Sequence, residues 1–171
     1  MRRVLLTSFA AVVLSAAAHA QQPPAATPTS PPPPPPPYGT PITLEQARKA
    51  VAAAEAEAKK NNWFLAIAAV SPGGHLVHFS LMDNTQYGSI AIAQHKARAA
   101  VNFRRPTKVF QDGLQATPAN LVLLTLDDVI ASEGGIPIVV DGKIVGAIGC
   151  SGATGAQDGQ ACLAGVNALK Q

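Results

Sequence analysis

The sequence lacks a dominant charge. Its 171 residues carry a formal net charge of +3, and without Arg2 and Arg3 in the first twenty residues the balance falls to +1. A nucleic-acid binder needs a concentrated basic footprint to displace condensed counterions, so that class is excluded. No apolar run is long enough to span a bilayer: Val4–Ala18 is too short. There is no Gly-Lys-Ser/Thr to hold a phosphate, and Ser151 sits in Gly149-Cys150-Ser151-Gly152, which is not the G-x-S-x-G of a hydrolase. Asp127 and Asp128 are adjacent and diverge in regular structure. Glu55 and Glu57 are two apart on a helix and share no face.

What is present divides the chain in three. Met1-Arg2-Arg3, the apolar stretch and Ala18-His19-Ala20 have the form of a secretory signal peptide over residues 1–20, which places the mature protein in the periplasm or outside the cell. No lipobox cysteine follows, so no lipid anchor is expected there. Residues 21–40 hold ten prolines, seven of them consecutive at 31–37, and read as a disordered polyproline spacer. Residues 41–171 remain as one domain, large enough to bury a core without disulfides.

Local signals give the order of elements. Thr43 and Gln46 have capping-box spacing ahead of a helix over 44–61. Residues 64–70 and 75–82 read as strands about the turn Ser71-Pro72-Gly73-Gly74. A helix over 89–104 shows two apolar stripes, one with Ala93, Ala97 and Val101, the other with Ile92, Ala99 and Phe103 beside His95 and Lys96. The second stripe is expected to meet another subunit or a ligand. Residues 106–131 stay open between helix and strand. Asp141-Gly142 predicts a type I′ hairpin turn between strands 136–140 and 143–150, and Thr154 with Gln157 caps a last helix to about 169. Helices covering an antiparallel sheet make the class α+β. The glycines at 146, 149, 152 and 155 match no nucleotide fingerprint, because their strand belongs to a hairpin. Close packing at 146 and 149 and a loop at 152 explain them.

The run GGIPIVVDGKIVGAIGCSGATGAQDGQACLAGVNAL, with ITLEQARKAVAAAEAEAKKNN, LAIAAVSPGGHLVHFSLMD and GSIAIAQHKARAAVNFRRPT before it, resembles the GlcG/HbpS haem-binding family, which includes the C-terminal domains of PduO-type proteins. The resemblance covers residues 42–169 in order. It implies a profilin-like α–β–α sandwich around an antiparallel sheet, homo-oligomers, and haem as the ligand, with haem degradation described for some members. Cys150 stands where the family commonly has an aliphatic residue.

Haem needs an axial ligand, an apolar slot and cations for its propionates. His95, on the second stripe, is the leading candidate for the iron; His78, on the mixed face of its strand with Met82, and His75, after the glycine turn, are the others. No Cys-x-x-Cys-His is present, so attachment is noncovalent. Lys96, Arg98, Arg104, Arg105 and Lys108 fall within thirteen residues and can pair with propionates, though Arg104 and Arg105 also suit a helix C-terminus. Cys150 and Cys162, in an exported chain, raise a disulfide. The helix carries Cys162 roughly 10 Å along its axis, against a Cα limit of about 7 Å, so two packed thiols are favoured and the bond stays open. The reading is an exported haem-binding protein that sequesters or senses haem. The alternatives are an enzyme that degrades haem or acts on another small ligand, and a structural oligomer without ligand.

Overall fold

A computed structural model describes residues 33–170, so the expected signal peptide and the spacer up to residue 32 lie outside the described residues. Helix α1, Leu44–Lys60, opens on the expected capping box: Thr43 accepts from the Gln46 amide and Gln46 answers to the Thr43 amide. Its stripe of Ala47, Ala50, Val51, Ala54 and Ala58 is buried, and Lys59 and Lys60 suit the negative end of the helix dipole. Strands β1, Ala66–Val70, and β2, Leu76–Leu81, form one hairpin; β3, Gly135–Val140, and β4, Lys143–Ser151, form the other. Asp141 and Gly142 both have positive φ, 48° and 72°, as the turn between β3 and β4 requires. The sheet order is β2-β1-β4-β3, with every pairing antiparallel.

Alternation along β1 builds two cores. Ile67 and Ala69 face α1 and α4, Gly155–Asn167, together with Ile138, Ile148 and Cys150. Ala66, Ala68 and Val70 face α2, Gly88–Asn102, with Ile144 and Ala147. The result is an α+β, α–β–α sandwich. Its glycines explain the short helix–sheet distance. A Cβ at Gly149 would collide with the Ala93 carbonyl and the Ala97 amide of α2, and one at Gly135 with the Lys96 carbonyl. Helix α2 therefore rests on bare backbone. Gly146 makes room for the Val70 carbonyl of the neighbouring strand rather than for a helix.

One open stretch is filled, one stripe gains a contact within the chain, and one expectation changes. The open stretch 106–131 contains helix α3, Lys108–Ala116, and a 3-10 helix, Pro118–Thr125. The second stripe of α2 meets its own chain at Phe103, whose ring stands edge-on to Phe110 of α3 at 5.3 Å. The cysteines are bonded, with Cα atoms 5.8 Å apart. The axial rise misled because Gly152–Thr154 turns α4 back across β4, which returns Cys162 over the strand it left.

The chain also joins the fold before residue 41. Ile144 donates to the Pro37 carbonyl and accepts from Gly39, each at 2.8 Å. The Tyr38 hydroxyl donates to Val101 O at 2.9 Å, and Arg104 lies over its ring. No described helix is long and apolar enough to cross a membrane.

Candidate functional site

The sequence-expected residues do not converge on one point. His78 pairs across from Ala69, and two residues on, Ser80 bonds Glu55 of α1. His78 therefore lies on the α1 face, and the sheet separates it from His95 on α2. His75 is exposed in the turn of the first hairpin. One iron cannot take both His78 and His95, and among the described residues no three His, Cys, Asp or Glu gather as a metal cluster.

Lys96 is not at the surface. Its side chain is 2% exposed, and its ammonium donates to Asp158 at 2.8 Å and to Cys150 O at 3.2 Å. Asp158 takes a second bond from the Ala153 amide at 3.0 Å. The pair joins α2, β4 and α4 inside the sandwich and is already neutralised, so Lys96 has no charge to offer a propionate. Burial pushes the Asp158 carboxyl above its ordinary value of 3.8, against the opposing pull of Lys96 and of the Ala153 and Gly152 amides. A carboxyl whose folded pKa is raised contributes stability fully below its unfolded pKa and loses it as pH rises through the folded one. The expected result is a stability slope, falling upward from about pH 3.8, that Asp158→Asn removes. Urea midpoints across that range check it, and identical slopes in both proteins would remove Asp158 as the source.

The outer face of α2 is different. His95, Arg98 and Asn102 follow at i, i+3 and i+7 and share one side of the helix. Asn102 donates to Asp128 at 3.1 Å and Arg98 lies 4.0 Å from the same carboxylate, so the stretch after the 3-10 helix crosses this side. His95 is half-buried, and among the described residues no hydrogen bond holds its ring. The 3-10 helix that leads to Asp128 buries none of its eight residues; Leu121, Val122 and Leu124 are 57%, 58% and 61% exposed. An apolar element left this bare is a candidate binding surface. Arg105 is also exposed, with Nε donating to Phe103 O. Arg104 is turned to Tyr38 and Lys108 to Asp112. The His95 imidazole thus shares its side of α2 with Arg98, whose guanidinium lies near Asp128, while the bare 3-10 helix packs on α3.

A second feature is a cleft of about 310 Å³, floored by Gly134 and Gly135 and walled by Pro106, Ile136 and, from α4, Ala156 and Leu163. Lys108 and Glu133 stand at its rim. Asp112, bonded to the Lys108 ammonium, is the main influence raising Lys108 above the usual lysine range, with Glu133 adding to it. No histidine lines the cleft. Sequence reasoning missed Glu133 and Asp158. Glu133 precedes the Gly134-Gly135 pair directly, whereas Asp158 is 62 residues from its partner and had no local signal.

Comparison with known proteins agrees with this architecture. Protein GlcG of Escherichia coli K12 is 40% identical over 110 residues, 64% of this chain and 81% of that protein. The crystal structure of HbpS superimposes with a TM-score of 0.70 at 31% identity, over 77% of this chain and 92% of that one. A PduOC haem complex shares the fold, with a TM-score of 0.68 at 21% identity over 75% and 95% of the two chains. The family model described as haem degrading protein HbpS-like matches residues 42–167, and the chain belongs to that family.

Proposed function

We propose that the protein binds haem noncovalently on the outer face of α2, where it sequesters or senses haem outside the cytoplasm. The observation that carries this reading is the half-buried His95 imidazole, unbonded among the described residues and on the same side of α2 as Arg98, in a molecule whose 3-10 helix leaves its leucines without cover. His95 would supply the axial nitrogen, Arg98 and Arg105 would pair with propionates, and Leu121, Val122 and Leu124 would cover the porphyrin. Bound haem would bring redox-active iron to that surface. Membership of the HbpS-like family and the haem complex of PduOC, a protein of the same fold, support the ligand. The buried disulfide supports export, since such bonds persist in oxidising compartments. The same bare surface suits a contact between copies, so the haem would sit at or beside the interface of a homo-oligomer.

The test is a haem titration followed by the Soret band, repeated with His95→Ala. The expected result is a saturable, shifted band in the parent protein and binding at least tenfold weaker in the variant, about 1.4 kcal/mol. An unchanged band and affinity in the variant would remove His95. A band like that of free haem in the parent protein would remove haem itself. Loss of the band with reductant and oxygen, with iron released, would turn the reading from carrier to haem-degrading enzyme.

A further inference from the structure

The cleft over Gly134 and Gly135 contains no residue assigned to haem, and it holds one charged group without a partner among the described residues. Its floor is already satisfied: Gly134 O accepts from the Cys150 amide, Gly135 O from the Thr107 amide, and Gly135 N donates to Thr107 Oγ1, each at 2.9 Å. The Glu133 amide donates to Gln111. The Glu133 carboxylate, half-buried against Gly159 of α4, makes no hydrogen bond or ion pair among the described residues. Gln160 uses one Nε2 hydrogen on Glu57 of α1 at 2.7 Å, which leaves the other and its Oε1 unbonded. Lys108 shares the rim, but both oxygens of Asp112 hold its ammonium, at 2.7 and 2.9 Å. That pair is neutral, so the cleft keeps one net negative charge, on Glu133, among apolar walls.

A half-buried carboxylate in an apolar recess is costly unless a donor reaches it. An acid entering the cleft would meet Glu133 and find Lys108 taken. We propose that this cleft is a binding site for a small primary amine carried on an apolar body, with the ammonium on Glu133 and the body between Ile136, Pro106 and Leu163. The volume suits a compact ligand, at the lower end of small-molecule clefts. The site requires the wall formed by α4, which the Cys150–Cys162 bond holds to β4.

The test titrates phenethylamine, and 3-phenylpropanoate as its acidic counterpart, into the protein while following the amide resonances of Gly134, Gly135 and Gly159. The expected result is saturable shifts with the amine and none with the acid. Glu133→Gln should weaken the amine about tenfold, as loss of one charge-assisted hydrogen bond does. Lys108→Met should tighten it, because Asp112 is then left uncompensated beside the site; this variant keeps the test decisive if Glu133→Gln folds poorly. Equal binding of amine and acid, no shift with either, or an amine affinity unchanged in Glu133→Gln and Lys108→Met would overturn the proposal.

Discussion

Lys96→Met is expected to destabilise the fold by about 3–5 kcal/mol, the range for removing one partner of a buried ion pair. The loss comes from what remains. Asp158, 3% exposed, keeps a carboxylate with no cation, and Cys150 O loses a donor. Methionine fills much of the same volume, so a cavity adds little. Domains of this size have about 5–15 kcal/mol in total, so the variant should sit near the edge of folding. Replacing both partners, Lys96→Met with Asp158→Leu, should recover part of the loss, because no charge is then stranded while the Ala153 amide and Cys150 O stay unpaired. Urea unfolding of the three proteins measures this. A cost below about 1 kcal/mol for Lys96→Met would mean that water reaches the pair, contrary to its burial.

Reduction of Cys150–Cys162 is the second large effect, at about 3 kcal/mol from the chain entropy of a loop with sequence separation 12. Both sulfurs are fully buried, so the bond must be reduced in denaturant and the protein refolded with reductant present. The transition temperature of the reduced form should fall by roughly 10 °C. An unchanged temperature would mean that packing alone holds α4 to β4. The two perturbations meet at Cys150, whose carbonyl takes the Lys96 bond, so their costs should not add when combined.

Much of the frame was legible because its signals are local. Thr43 with Gln46 and Thr154 with Gln157 mark helix starts within four residues, and Asp141-Gly142 fixes a hairpin from its own backbone angles. The stretch 118–125 was not legible, since its apolar residues follow neither a helical nor a strand period and none is fully buried within the chain. The disulfide and the Lys96–Asp158 pair escaped for one reason: both depend on how α4 folds back over β4, a tertiary fact that spacing along one element cannot carry. At the outer face of α2, the sequence supplied His95 and Arg98 as residue types. Their spacing already set a common side, and the approach of Asp128 followed from the fold. The end of the proline spacer was misjudged by a few residues, because Pro37 uses only its carbonyl in pairing and so loses nothing by lacking an N–H.

The closeness of α2 to the sheet changes how this stretch compares with other chains. Any side chain at 149 or 135 would lift a helix off its seat, whatever the protein binds. Two proteins that share these glycines therefore share a spacing between layers, and the match says nothing about a common cargo. Differences in what such proteins carry are better sought on the far side of the helix, around positions 95 and 98, where a change of residue leaves the seat intact.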